Sequence, residues 1–142
     1  MSYFKSCGAV VYTRINGEIK YVLVQSREGV YGFPKGLCEC NETEIETALR
    51  EIYEEVKLTP SIIEGFRATE EYTHPNKVNV YKTVVYFLAE YYDKDIAAQE
   101  TEVINAPVVS YEEAMRMLIH DDRKRILKEA NDYLTKLDCH LK

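Results

Sequence analysis

The sequence predicts an α/β (α+β) fold in which a mixed β-sheet is sandwiched between helices. Three observations lead there. Strand-like segments outnumber helical ones over the first two-thirds of the chain. One amphipathic helix interrupts them in the segment GLCECNETEIETALREIYEEVKL. Helical periodicity then closes the chain. A length of 142 residues suits one domain with one substantial core, so a single domain spanning 1–142 is expected.

Residues 7–13, CGAVVYT, read as the first strand. Asn16-Gly17 is a two-residue hairpin turn, because both residue types accept positive φ. Residues 19–26, IKYVLVQS, form the returning strand, and REGVYGFPKG is a loop rich in Gly and Pro. Asn41, with Glu44 three positions on, resembles a capping box at the start of the first helix. Ile45, Ala48, Leu49, Ile52 and Val56 then recur at the spacing of one apolar helix face. Residues 61–73 and 78–91 are two strands joined by a turn at HPNK. The second, within VNVYKTVVYFLAEYY, is dense in β-branched and aromatic residues. Residues 103–109, VINAPVV, make a short strand. Ser110 with Glu113 opens another helix by capping, and DDRKRILKEANDYLTKL is the final helix, with acids at its N-terminal end.

Net charge is −6, which argues against a broad electrostatic grip on long nucleic acid. A small phosphorylated partner remains compatible, since a bound divalent ion reverses the local field. No apolar run approaches the roughly 20 residues needed to span a membrane. The N-terminal MSYFKSCGAVVYTR does not read as a signal peptide, so a cytoplasmic location is expected. Cys38 and Cys40 make a C-x-C rather than the C-x-x-C of most zinc sites; together with Cys7 and Cys139 they read as free thiols in a reducing compartment.

The first helix poses a chemical question. At 100° per residue, Glu54 and Glu55 fall within about 60° on either side of Glu51. Like charges so spaced cost a few tenths of a kcal/mol each when exposed, and more when partly buried. Arg50 pairs with one acid but cannot neutralise three. A solvated acidic face is one reading. The other is a hard divalent cation such as magnesium, which favours carboxylate oxygen and recruits phosphate through its remaining positions.

The surrounding spacing sharpens this choice. Gly36 is followed after five residues by Glu42, and after seven more by Arg50-Glu51-Ile52-Tyr53-Glu54-Glu55-Val56-Lys57-Leu58. The pattern resembles the Nudix box, G-x5-E-x7-R-E-U-x-E-E-x-G-U, at every defined position except one: Lys57 stands where the family has glycine. The order of elements extends the resemblance to a Nudix fold over nearly the whole chain. The resemblance implies a pyrophosphohydrolase using magnesium, with manganese as the alternative ion. It implies metal ligands at Glu51, Glu54, Glu55 and the Gly36 carbonyl, with Arg50 orienting Glu51 and Glu54 by bidentate pairing. Glu42 would stand behind these ligands and reach the metal through water. A remote acid completes the family's site or acts as base; the loop AAQETEVINAPVV offers Glu100 and Glu102, and Glu102 stands in the family's usual place.

Tyr31-Gly32-Phe33-Pro34-Lys35-Gly36 resembles the W-x-x-P-K-G of asymmetric diadenosine tetraphosphate hydrolases. So do Ile63-Glu64-Gly65-Phe66 and the strand from Lys82 to Glu90. By that resemblance Lys35 and Lys82 bind phosphate, Tyr86 stacks on adenine, and Tyr31 stands in for the loop tryptophan. Strand alternation puts 82, 84 and 86 on one face. Leu37 departs from the histidine often found there. The expected reaction is cleavage of diadenosine tetraphosphate to ATP and AMP. Two alternatives stay open: another Nudix substrate (a nucleoside triphosphate, a nucleotide sugar or a 5′-triphosphate RNA end), and a nucleotide-sensing module without turnover.

Overall fold

The structure is a computed structural model that describes residues 2–92 and 103–140. The elements in chain order are β1 (Ser2–Ile15), β2 (Glu18–Val22), β3 (Val24–Ser26), β4 (Tyr31–Gly32), β5 (Lys35–Leu37), α1 (Glu44–Val56), β6 (Ser61–Ile62), β7 (Ala68–Thr73), β8 (Val80–Glu90), β9 (Val103–Asn105), β10 (Val108–Val109), α2 (Tyr111–Met117) and α3 (Asp121–His140).

Two long strands organise the mixed sheet. β1 and β8 run parallel, in register from Ser2 opposite Val80 to Tyr12 opposite Glu90. The other edge of β1 is shared: Ser6 to Gly8 pair with β5, and Val11 to Ile15 pair with β2, whose outer neighbour is β10. β7 and β6 cover the far edge of β8. A small sheet orders β4, β3 and β9. Asn16 (φ 53°) and Gly17 (φ 81°) make the β1–β2 turn with positive φ at both positions, as expected.

Period-two alternation sends side chains to two cores. Cys7, Ala9, Val11, Val85, Phe87 and Ala89 pack with Ala48, Ile52 and Val56 of α1. On the opposite face Val10, Tyr12, Val84, Tyr86 and Leu88 pack with Ala114 and Leu118, then with Ile126, Leu127, Ala130 and Leu134 of α3. The sheet is thus sandwiched between α1 and the α2–α3 pair, as the sequence predicts. Each fully buried Leu or Ile contributes about 1.5–3 kcal/mol.

Several boundaries differ from expectation. Residues 19–26 form two strands broken at Leu23, whose N–H donates to the Pro107 carbonyl at 3.0 Å. Residues 61–73 are also two strands, divided around Gly65 at φ 94°. Pro107 divides 103–109 into β9 and β10, which join different sheets. The first helix is capped by Thr43, not Asn41: Thr43 Oγ accepts from Glu46 N at 3.1 Å, and Glu46 Oε1 accepts from Thr43 N at 2.8 Å. Glu44, the expected box partner, is drawn away by Lys5 and Arg67. Ile45 is exposed rather than buried.

All four cysteines are free. The Cys7 and Cys38 sulfurs lie 3.2 Å apart, and burial pushes the Cys7 thiol up to about 12, which keeps it unreactive. No helix among the described residues is long and apolar enough to cross a membrane.

Candidate active site

One cavity of about 1060 Å³ opens where α1, β5, the β7–β8 hairpin and the start of α3 meet. Its lining includes Gly36, Glu51, Glu54 and Glu55 together with Lys35 and Lys82. Residues from separate parts of the chain, chosen on sequence alone, therefore share one pocket.

The α1 carboxylates differ in exposure. Glu55 is buried, the Glu51 side chain is 13% exposed and that of Glu54 is 45% exposed. Glu55 Oε2 accepts from the Lys35 backbone N–H at 3.3 Å, which ties the helix to β5. Gly36 lies in close approach to the helix: a Cβ there would displace the Glu51 carboxylate. Among the described residues no three His, Cys, Asp or Glu side chains converge as a ready-made ion cage. The donor set is nonetheless the one a hard divalent ion prefers, carboxylate oxygens with a backbone beside them.

Arg50 holds this cluster, with a different geometry from the expected one. Its bidentate partner is Glu42, at 2.5 Å from Nε to Oε2 and 2.9 Å from Nη2 to Oε1. Glu51 and Glu54 share only Nη1, at 2.9 Å and 3.3 Å. Nη2 also donates to the Leu37 carbonyl at 3.0 Å. The reason is directional: Glu42 lies on the loop before the helix and meets the Nε–Nη2 side of the guanidinium, whereas Glu51 and Glu54 approach from the helix itself. Glu42 accepts further bonds from Thr47 Oγ1 and Glu39 N and does not line the cavity. Chiefly the Arg50 guanidinium holds its carboxyl at about 2, far below the usual range. The same contacts push Arg50 well above its ordinary value.

The cavity lining is also cationic, through Lys35, Lys82 and Arg123. Burial first, then the Lys82 and Arg123 charges, lower the Lys35 ammonium below its ordinary value, with Glu55 and Glu70 opposing. Lys82 is lowered too, chiefly by burial. Lysines so placed bind an anion with less hydration to displace.

The two tyrosines do not meet their expected roles. Tyr86 does share the face of Lys82, but it is fully buried, with Phe33 edge-on at 5.4 Å between ring centroids and its hydroxyl 3.4 Å from Glu70 Oε1. A ring with no exposed face cannot stack on a base. Tyr31 packs its side chain against the α3-side core and is not part of the cavity lining. The half-buried Tyr72, with His74 and His120, lines the cavity instead. Glu100 and Glu102 lie outside the described residues.

Sequence reasoning missed Glu70 and Arg123. Glu70 is buried on the inward parity of β7, between Ala68 and Tyr72. Arg123 stands 3.5 Å from it, on the α3 stripe that continues with Ile126, Leu127 and Ala130. Charges at apolar-periodic positions were the available signal.

A model of the NUDIX domain family matches residues 5–130. The chain is 31% identical to an asymmetrical bis(5′-nucleosyl)-tetraphosphatase of Sus scrofa, over 94% of this chain and 97% of that protein. Among solved structures, a C. elegans Ap4A hydrolase in a binary complex superimposes with a TM-score of 0.85 at 26% identity, covering 94% and 98% of the two chains. The NUDIX domain of Shewanella oneidensis NrtR, complexed with ADP ribose, shares the fold at 19% identity, with a TM-score of 0.75 and coverage of 94% and 90%.

Proposed function

The chain belongs to the NUDIX family, and from that premise we infer that it is a divalent-metal-dependent hydrolase of dinucleoside polyphosphates, cutting diadenosine tetraphosphate to ATP and AMP. The observation that carries this reading is the gathering of three glutamates and two lysines in the lining of one cavity. Similarity to the Sus scrofa tetraphosphatase over 94% of the chain supports the substrate class. Residues 1–142 act as one cytoplasmic catalytic unit in this reading.

Glu51, Glu54, Glu55 and the Gly36 carbonyl are the groups that would hold magnesium or manganese. The ion supplies charge compensation for the phosphoanhydride and a more acidic water. Arg50 fixes Glu51 and Glu54 through one shared nitrogen, and its own pose is set by Glu42. The Lys35 N–H steadies Glu55. Lys35 and Lys82, in the same cavity lining, take the phosphate oxygens and draw off charge as the P–O bond breaks. Glu102 completes the carboxylate set or takes the proton of the attacking water.

The test is incubation with magnesium and a panel of dinucleoside polyphosphates, nucleoside triphosphates and sugar nucleotides, with products resolved by chromatography. Release of ATP and AMP from diadenosine tetraphosphate, lost on chelation and restored by magnesium, is the expected result. Faster turnover of another member reassigns the substrate, and binding without product makes the chain a sensor.

A further inference from the structure

Arg123 occupies a position that the apolar stripe of α3 would otherwise fill, since Ile126, Leu127, Ala130 and Leu134 follow on the same face and are all buried. A charge there costs free energy unless it is fully partnered. Its partners are incomplete. Nη1 donates to the Tyr31 carbonyl at 3.0 Å, and Nε faces Glu70 Oε2 at 3.5 Å, yet Nε is buried without a hydrogen bond. Gly32 leaves the slot open: a Cβ there would stand 3.1 Å from Nη1 and 3.4 Å from Cζ. The arginine also lines the cavity, together with Lys35 and Lys82. Like charges gathered in a partly dry pocket lower their energy when an anion joins them.

We propose that Arg123 is a substrate-binding residue that joins Lys35 and Lys82 in a three-cation cradle for a phosphate group, with Glu70 and the Tyr31 carbonyl holding the guanidinium in place. The identity of that phosphate, one link of a dinucleoside polyphosphate, rests on the function inferred above; the cradle itself rests on the geometry.

The experiment separates the two. The full chain is titrated with tripolyphosphate by calorimetry at low salt without magnesium, as wild type, Arg123→Met and Arg123→Gln, each with its melting temperature. Arg123→Gln keeps a donor at the level of Nε, facing Glu70, and serves where the methionine variant does not fold. Loss of a charge-assisted hydrogen bond predicts affinity about tenfold weaker or more in the folded variants. Wild-type affinity in a folded variant, or no binding by the wild type, overturns the cradle. A mere clamp between the Tyr31 loop and α3 would move the melting temperature alone. In parallel, KM for diadenosine tetraphosphate rises while kcat stays within about threefold. A wild type that binds tripolyphosphate through Arg123 but does not hydrolyse diadenosine tetraphosphate sinks the proposed function and leaves the cradle standing.

Discussion

Arg50 closes its fork on Glu42, with Nε 2.5 Å from Oε2 and Nη2 2.9 Å from Oε1, so the strongest grip in the acidic cluster lies outside the pocket. The arginine is thereby a fixed post, and only its remaining nitrogen steers Glu51 and Glu54. Lysine cannot make both contacts. Arg50→Lys should lower turnover about tenfold or more while the chain stays folded, since a small misplacement of ligating carboxylates is costly. Steady-state kinetics beside a thermal melt checks this, and unchanged kcat would count against the post.

Glu55 is the most buried carboxylate of the cluster. Glu55→Gln keeps its size and its bond from Lys35 N while removing the charge. Turnover should fall by about two orders of magnitude or more, the scale of losing a key electrostatic group. Activity equal to wild type in a single-turnover assay would refute the role.

Gly36→Ala offers a more selective test. The added Cβ meets the far end of the Glu51 side chain, a group that can swing aside, so the fold survives. The displaced carboxylate should lower kcat roughly 10- to 100-fold. Circular dichroism that matches wild type beside such a loss is the expected pair of results.

Acid stability follows from two depressed carboxyls. Glu42 is held at about 2 chiefly by Arg50, and Glu44 at about 2 chiefly by Arg67 and then Lys5, against an ordinary value of 4.5. Each folded-state value lies below the unfolded one. Both contributions are therefore fully present above pH 4.5 and disappear as pH falls toward about 2. Urea midpoints measured across that window should decline, and the decline should be shallower in a Glu42→Gln/Glu44→Gln variant. An equal slope in the variant would show that other groups carry the effect.

Lys57 caps α1 in the left-handed region, at φ 60° and ψ 30°. Glycine there relieves about 1 kcal/mol of backbone strain. The lysine returns part of that by placing Nζ over the Tyr53 ring, 5.3 Å from its centroid, a contact of about 0.5 kcal/mol when exposed. Lys57→Gly should raise the melting temperature slightly and leave kcat unchanged. A drop in kcat with unaltered stability would place Lys57 in the chemistry.

Legibility varied with the range of the interaction. The Asn16-Gly17 turn and the gathering of Gly36, Glu51, Glu54 and Glu55 depend on neighbours close in sequence, and both were readable. The cap at Thr43 was not, because Asn41-x-x-Glu44 and Thr43-x-x-Glu46 carry the same chemistry and the choice between them is made by Lys5 and Arg67, far off in the chain. Tyr86 was misread for a similar reason. Strand parity gave its face, but only packing against Phe33 decides that the ring is covered. Arg123 and Glu70 escaped because neither residue signals its partner, which comes from another element.

The parallel seam of β1 and β8 bears on how the chain emerges from the ribosome. Ser2 must wait for Val80, and Tyr12 for Glu90, so β1 gains its parallel neighbour long after its hairpin partner β2. Helix α1 and the β1–β2 hairpin can form during that delay, whereas the seam closes only across a long stretch of intervening chain. Until then one edge of β1 keeps its backbone N–H and C=O groups unpaired and open to misassociation, and a chaperone that shields it would act before any nucleotide could bind.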